Sequence, residues 1–426
     1  MDPAVRKYIQ RQSIGLRPEM ERAGSDALFV VVPAYNEAET LPHCIDSLLA
    51  ACREGICVNV VVVLNYGSND SDMVKRDTWA LKQWCDRKSE AIDDMTFRLM
   101  ALTVYDLDPK LKGAGLARKI GMDQALAFLA VRGSEDSVIV SLDADTVVAP
   151  NYFEAISRFF CDKTMLSCSI YFEHPLDGES LLRNNAIALY ELHLRYYRQA
   201  LRSSGFPHAI HTVGSAMAFR GTAYAKAGGM TQKQAGEDFY FLHKIITQGG
   251  FGELNDTAVY PSARASQRVI FGTGATIHKM EAEVLGSYQT YNLQSFTDLE
   301  KLFRAIPVLY QAGSDGYPKT ILELPGRVRS FLINNGFEGM IVSLMNNCAS
   351  AGTFSKRFFE IFNAFTIIKY LNFTHEHFLE KPDVCDASSF LLEQNGLLDD
   401  PFADAFGLLR HYREIDKKGM VLKLLE

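Results

Sequence analysis

The sequence predicts an α/β fold, in which a mixed, mostly parallel sheet is flanked by helices and followed by a mainly helical C-terminal region. Between Leu28 and about Leu142, short β-branched runs alternate with helical periodicity, which is typical of βαβ units. After about Met280 glycines become rare and helical spacing dominates. The 426 residues, 47% of them hydrophobic, suffice for one large domain and a further region. We expect an N-terminal extension over residues 1–25, an α/β domain over 26–281 and a helical region over 282–426.

The alternation predicts each element in order. Leu28–Val32 is predicted to be a buried strand that Pro33 stops, and a helix follows because apolar residues recur at helical spacing from Leu41. The next expected elements are a strand over 58–64, a helix carrying Trp79 and Trp84, a strand within 97–104, a helix after Gly113-Ala114-Gly115, and a strand ending at Asp143. In the second half we expect a strand over 165–172, a long helix over 180–201, a strand over 212–220 and a helix that begins at Asp238.

Composition restricts the partners and the location. With 44 basic and 51 acidic residues the net charge is -7, so the chain lacks the overall basic charge that drives nucleic-acid binding. The N-terminal segment lacks the apolar core of a signal peptide, and no later run of about 18 uncharged apolar residues predicts a transmembrane segment. Eight cysteines without a C-x-x-C pair indicate free thiols rather than disulfides or a zinc site. We expect a cytoplasmic protein with no nucleic-acid partner.

Two carboxylates one residue apart, Asp143 and Asp145, follow the apolar run over residues 137–142. Because ligands bind at the carboxyl ends of strands in open α/β sheets, this Asp-x-Asp (DxD) motif is placed to hold a divalent cation against a phosphate-bearing ligand. The same spacing recurs at Asp70 and Asp72 and at Asp106 and Asp108, without so apolar a preceding run. A solvated turn or a helix cap is the alternative reading of such a pair.

Four short segments, taken together, resemble glycosyltransferase family 2, the nucleotide-sugar-dependent transferases with the GT-A fold. The segments are Val32-Pro33-Ala34-Tyr35-Asn36-Glu37, Gly115-Leu116-Ala117-Arg118-Lys119-Ile120-Gly121, Leu142-Asp143-Ala144-Asp145, and Gly229-Met230 followed by Gly236-Glu237-Asp238. The resemblance runs from Leu28 to about Met280. It implies a Rossmann-like nucleotide-diphospho-sugar transferase domain and a reaction that moves a sugar to an acceptor hydroxyl.

The resemblance assigns the nucleotide base to the loop after the first strand, where Pro33, Ala34, Tyr35 and Glu37 would form the pocket. The alternative is that Pro33 only ends the strand and that Glu37 or Glu39 caps the next helix. The family usually has an acid after the second strand, whereas this chain has Asn65. An amide can donate and accept, so Asn65 could still pair with the base, and both UDP- and GDP-linked donors stay open.

For the donor phosphates, the resemblance points to Lys112 and Arg118 beside the glycines that open a helix, where exposed N–H groups and the helix dipole attract anions. Asp143 would face the ribose or a metal-bound water, and Asp145 would ligate Mg2+ or Mn2+. A third ligand would be His278, for which a structural or exposed histidine is the alternative.

The catalytic residues implied by the resemblance are Asp238, as the general base of an inverting reaction, and Glu237, which would bind an acceptor or donor hydroxyl. The alternative for Asp238 is a helix cap. Rival functions are a sugar nucleotidyltransferase, which needs a glycine-rich basic loop after the first strand, and a non-catalytic nucleotide-sugar or glycan-binding protein. The acceptor would be a glycan or a small hydroxyl compound. Residues 282–426 are expected to pack on the acceptor side or to form a homodimer contact.

Overall fold

The computed structural model describes residues 1–24, 28–110, 113–178, 180–231, 236–264, 273–283, 286–398 and 404–424. The strands, in chain order, are β1 (Leu28–Ala34), β2 (Val58–Gly67), β3 (Phe97–Leu107), β4 (Val138–Ser141), β5 (Thr146–Val148), β6 (Ser167–Phe172), β7 (Met217–Arg220) and β8 (Phe251–Pro261). Within the described residues they form one eight-stranded sheet in the order β3-β2-β1-β4-β7-β6-β8-β5.

The half of the sheet that includes β1 is parallel. β1 pairs with β2 on one side and β4 on the other, and β2 pairs with β3. All seven residues of β1 are buried, as expected for a strand covered on both faces. The strand order reverses between β1 and β4, and this switch point is where open α/β sheets bind ligands.

The other half of the sheet is mixed. β7 is antiparallel to β4 and β6, β6 is parallel to β8, and β8 is antiparallel to β5. The predicted fold class, a mixed and mostly parallel sheet with a C-terminal helical region, is confirmed.

Helices follow most of the strands. Before and between the strands lie α1 (Pro3–Gln12), a short 3-10 helix (Pro18–Arg22), α2 (Leu41–Ala50), α3 (Asp72–Ala91), α4 (Ala114–Arg132), α5 (Tyr152–Phe159), α6 (Leu181–Ser203), α7 (Gly221–Lys226) and α8 (Glu237–Ile246). After the last strand lie α9 (Thr273–Ala282), α10 (Leu293–Leu322), α11 (Gly326–Asn334), α12 (Phe337–Asn347), α13 (Ala351–Ile361), α14 (Ala364–His377), α15 (Val384–Gln394) and α16 (Ala405–Lys417).

Helix α4 lies unusually close to the sheet. A Cβ at Gly121 would come within 2.4 Å of Val31 and 3.0 Å of Val63, so only glycine permits this approach. Most of α4 is buried, including Arg118 and Lys119 near its start. The close approach fixes where the first turns of α4 lie relative to the ends of β1 and β2.

Several elements differ from the expectation. The first strand continues through Pro33 to Ala34, because β1 pairs with β4 only as far as Val31 and a residue without an N–H is tolerated beyond that point. The strand expected over 212–220 is restricted to Met217–Arg220. The sequence analysis predicted neither β5 nor β8, and β8 pairs with both β5 and β6.

Two compact units are present. The first contains residues 1–184 and 212–279, and the second contains residues 185–211 and 280–426. The first therefore includes the N-terminal segment, whose α1 packs on α4 and α7. The chain passes from the first unit to the second within α6. None of the described helices is both long and apolar enough to cross a membrane.

Candidate active site

Three acids converge on the guanidinium of Arg118. Arg118 lies in the second turn of α4, where it is only 2% exposed. It donates one hydrogen bond to Glu237, at the start of α8, and another of 2.5 Å to Asp143, in the loop after β4. Burial alone would lower the pKa of Arg118, but Asp143, Glu237 and Asp238 raise it well above its ordinary value. The arginine is therefore a permanent cation among three carboxylates.

Glu237 and Asp238 occupy the first turn of α8, behind the left-handed Gly236. The Asp238 carboxylate accepts a 2.7 Å hydrogen bond from the Phe239 N–H. Burial raises the pKa of both Glu237 and Asp238, while Arg118 acts in the opposite direction. One arginine cannot fully compensate three neighbouring acids, so at least one carboxyl in this cluster holds a proton more tightly than an exposed acid would.

Gly214 lies against both Arg118 and Asp238. A Cβ at this position would come within 2.8 Å of Arg118 Nη2 and 3.1 Å of Asp238 Oδ2. The residue is buried, and it stands three positions before β7, which pairs with β4. No sequence pattern singled out Gly214, because the reason for a glycine there is contact with residues distant in the chain.

A second ion-pair group lies beside the first. Arg264 Nη2 donates to Glu37 at 2.5 Å, and its Nε lies 3.0 Å from Asp145. Burial alone would lower the pKa of Arg264, but the hydrogen bond to Glu37 and the charge of Asp145 raise it. The sequence prediction gave these two acids different tasks, the base pocket for Glu37 and the metal for Asp145.

Sheet register explains why these chain segments meet. β5 pairs with β8 so that Thr146 lies opposite Pro261, and the Ser262 N–H donates to the Asp145 carbonyl at 3.1 Å. Arg264, two residues further on, is thereby brought to Asp145. Glu37 follows β1 and Asp143 follows β4, and these neighbouring parallel strands end at the same edge of the sheet.

The predicted base pocket lies at the end of β1. Pro33 and Ala34 are buried in the strand, whereas Tyr35 is partly exposed in the loop that follows. The Tyr35 hydroxyl donates to Asp70 at 2.8 Å, and the other Asp70 oxygen accepts from the Gly67 N–H at 2.7 Å. Asp70 thus fixes the tyrosine relative to the end of β2, a role that the sequence did not reveal.

Asn65 is fully buried and joins three elements. Its amide nitrogen donates to the Ala34 carbonyl at 3.2 Å, and its amide oxygen accepts from the Gly113 N–H at 2.9 Å. The side chain therefore ties the end of β1, the end of β2 and the start of α4. The amide nitrogen and the amide oxygen of Asn65 are thus each bonded to a backbone group.

Two predicted site residues remain, His278 and Lys112. His278 lies in α9 and is partly exposed. Among the described residues no group of three or more His, Cys, Asp or Glu is arranged to hold a metal, so His278 does not join Asp143 and Asp145 in such a group. Lys112 lies outside the described residues.

Comparison with known proteins gives one family match. Residues 138–309 match the model for glycosyl transferase family group 2. The matched segment includes Asp143, Asp145, Glu237, Asp238 and Arg264. No curated protein matches the chain.

Similarity to solved structures is low. S. aureus TarS 1-349 in complex with UDP has 13% identity and a TM-score of 0.39, over 75% of this chain and 90% of that chain. S. aureus TarS 1-349 in complex with UDP-GlcNAc has 11% identity and a TM-score of 0.36, over 92% of each chain. GalNAc-T7 with UDP, GalNAc and Mn2+ has 14% identity and a TM-score of 0.36, over 66% of this chain and 51% of that chain.

These structural similarities are too weak to support an argument about ligands. The family match covers the loop after β4 and the start of α8, where two of the four segments that carried the sequence resemblance lie. This match confirms the resemblance to that family over residues 138–309, the part of the chain that the match covers.

Proposed function

We propose that the protein transfers a sugar from a nucleotide diphosphate sugar to an acceptor hydroxyl, with inversion at the anomeric carbon and with the help of a divalent cation. The observation that carries this proposal is the meeting of Asp143, Glu237 and Asp238 at Arg118, beside the Asp145 carboxylate. These residues come from distant parts of the chain and lie at the carboxyl edge of the sheet.

Asp238 is the base in this proposal. It accepts the proton of the acceptor hydroxyl while the hydroxyl oxygen forms its bond to the anomeric carbon. The bond between that carbon and the diphosphate oxygen breaks, and the nucleoside diphosphate leaves with the electron pair. Burial raises the pKa of Asp238, and a base with a higher pKa accepts a proton more readily.

Arg118 positions the acids. The sequence resemblance assigned it to the donor phosphates, but its hydrogen bonds to Glu237 and Asp143 favour a structural task in the donor-free protein. Because Arg118 links α4, α8 and the loop after β4, it holds the base and the DxD loop at a fixed separation. Glu237, only 5% exposed, anchors the other end of this link.

The acids fit a divalent cation that the donor shares. The Asp143 and Asp145 side chains are 36% and 21% exposed, so both are reached by solvent although each pairs with an arginine. Two carboxylates completed by donor phosphates suit Mg2+ or Mn2+ better than a cage made of protein alone. When bound, the cation would neutralise charge on the departing diphosphate.

The base of the donor would lie against Pro33, Ala34 and Tyr35. Tyr35 is oriented by its hydrogen bond to Asp70, and its ring is partly exposed at the end of β1. Asn65 is bonded to the backbone, and Asp70, the acid in the loop after β2, is bonded to Tyr35 and to the Gly67 N–H, so these contacts favour neither uridine nor guanosine. The first donors to test are therefore both UDP-linked and GDP-linked sugars.

The experiment that tests the function is Asp238→Asn. We expect this variant to bind donor with nearly unchanged affinity, because the side chain keeps its size, while the turnover number falls by about 10²–10⁴-fold with loss of the base. The measurements are donor affinity by calorimetry and release of nucleoside diphosphate in the presence of Mn2+ and acceptor.

The matched control is Asp256→Asn, which changes an exposed acid of the same unit that pairs with Arg158. Full turnover in Asp238→Asn would contradict the assigned base. Release of pyrophosphate in place of nucleoside diphosphate would indicate a nucleotidyltransferase. Donor binding without any product release, in the unmodified protein, would indicate a binding protein.

A further inference from the structure

The Arg264 guanidinium bridges the two acids that the proposed function assigns to different parts of the donor. It contacts Glu37 at 2.5 Å and Asp145 at 3.0 Å. The side chains of Arg264, Glu37 and Asp145 are 28%, 11% and 21% exposed, so solvent screens their charges only in part. The contact joins the loop after β1 to the segment after β8.

A guanidinium and a divalent cation compete for the same carboxylate. Mg2+ binds carboxylate oxygens at about 2.0–2.1 Å, and a cation at that distance from Asp145 would lie close to the positive charge of Arg264. The two cations would repel each other strongly in a partly buried site. Asp145 therefore cannot stabilise both at full strength unless further negative charge arrives.

We propose that Arg264 occupies the cation position at Asp145 in the donor-free protein and leaves Asp145 when the donor diphosphate arrives with its divalent ion. This inference rests on the proposed metal-dependent function. The diphosphate supplies the additional negative charge that allows both cations to stay in the site. Arg264 thereby makes metal binding depend on donor binding and disfavours the metal in the absence of donor.

The test is a titration of donor-free protein with Mn2+ alone. The electron paramagnetic resonance signal of the free ion measures how much Mn2+ stays unbound. We expect Arg264→Gln to bind Mn2+ at least about ten-fold more tightly than the unmodified protein, because the competing charge is gone. The gain should disappear in the double variant Arg264→Gln/Asp145→Asn, which lacks the carboxylate. Arg264→Lys keeps the positive charge but lacks the planar guanidinium that contacts two acids at once. This variant should therefore show a smaller gain in Mn2+ affinity than Arg264→Gln.

The matched control is Arg158→Gln, which removes the same charge from an exposed pair with Asp256 in the same unit and should leave Mn2+ affinity unchanged. Equal Mn2+ affinity in Arg264→Gln and Arg158→Gln would overturn the proposal. So would a gain that persists without the Asp145 carboxylate, since the arginine would then act elsewhere.

A third result separates this inference from the proposed function. Arg264 could instead replace the metal permanently. In that case Arg264→Gln should bind the donor more weakly, and Mn2+ should not restore the affinity. That result would refute the exchange of Arg264 for the metal ion at Asp145, even in a protein that transfers sugar. If the protein transfers no sugar at all, the Mn2+ titration still reports whether Arg264 and the ion compete at Asp145. Thermal unfolding of each variant checks that the fold is intact.

Discussion

At the scale of single residues, Gly214 shows how little space the site leaves. Its missing side chain leaves room for the Arg118 guanidinium and the Asp238 carboxylate, which both lie close to the position that a Cβ would take. Neither group can move far, because Arg118 is held by Glu237 and Asp143, and Asp238 stands in the first turn of α8. A side chain at position 214 would therefore crowd both the base and the arginine that positions it.

We expect Gly214→Ala to lower turnover by about ten- to a hundred-fold, because a displacement of about 1 Å in a reacting group can have that effect. Overpacking should also lower the free energy of unfolding by about 1–3 kcal/mol. Steady-state kinetics and urea unfolding measure the two effects. Gly352→Ala is the control, since that glycine lies in α13 with open space around it. Unchanged turnover in Gly214→Ala would show that the close contact has no bearing on the chemistry.

At the scale of secondary-structure elements, Asn65 holds three ends together. One side chain connects the last residue of β1, the end of β2 and Gly113, which precedes α4. The family resemblance predicts a contact with the nucleotide base, whereas the bonds seen in the structure join the amide to backbone groups. These roles predict different consequences for the same substitution.

Asn65→Asp keeps the acceptor for the Gly113 N–H but loses the donor to Ala34 and sets a negative charge against a carbonyl oxygen. We expect a loss of about 1–3 kcal/mol in the free energy of unfolding and weaker binding of UDP-linked and GDP-linked donors alike. Urea unfolding and calorimetry with both donors measure this. A changed preference between the two bases, without a loss of stability, would favour a direct base contact.

The matched control lies on the same strand. Asn59, at the opposite end of β2, donates to the Gly24 carbonyl and accepts from the Gly24 N–H, at 2.9 and 3.0 Å. Asn59→Asp should therefore cost stability in a similar way while leaving donor affinity unchanged. Equal loss of donor affinity in both variants would mean that general destabilisation, rather than the position of α4, explains the effect.

At the scale of the whole molecule, the second unit is built from two chain segments that are far apart in sequence. Its two parts, residues 185–211 and 280–426, are joined by a buried ionic group. Asp416 of α16 accepts hydrogen bonds from Arg195, Arg198 and Gln199 of α6, and His211 also lies within 3.1 Å. Arg413 pairs with Glu191 in the same region.

Asp416→Asn should lower the thermal stability of the second unit by the equivalent of about 3–5 kcal/mol, because it leaves buried arginines without their counter-charge. Burial alone would raise the pKa of Asp416, but Arg198, His211 and Arg195 lower it well below its ordinary value. A carboxyl with a depressed folded-state pKa stabilises the fold above its unfolded value of about 3.9. The difference in stability between the unmodified protein and Asp416→Asn should therefore be constant from about pH 5 upward. It should shrink as the pH falls below about 4.

Thermal unfolding followed by circular dichroism across this pH range gives the comparison. Glu414→Gln is the control, since Glu414 lies on the same helix and is exposed at its contact with Lys417. If the stability difference between the unmodified protein and Asp416→Asn stayed the same below about pH 4, Asp416 would not be the titrating group. A destabilisation as small as that of Glu414→Gln would show that the buried group contributes little.

The local sequence pattern by itself determined many of the secondary-structure elements of this protein. β-branched runs predicted the strands β1 to β4 within a few residues, because buried parallel strands are continuously apolar. The acids at Asp143 and Asp145 were found for the same reason, since they follow such a run directly. Helical spacing predicted the C-terminal region. The strand β8 was missed, because Phe251–Pro261 mixes polar and apolar residues and takes its place from pairing with β5 and β6.

The partners of the charged residues were decided only by tertiary structure. Arg118 and Glu237 are 119 positions apart, and Arg264 and Glu37 are 227 apart. Periodicity and turn chemistry act over a few residues, so they place an acid at the end of a strand without saying which arginine will meet it. Strand order and register make that choice, because they determine which loops share an edge of the sheet.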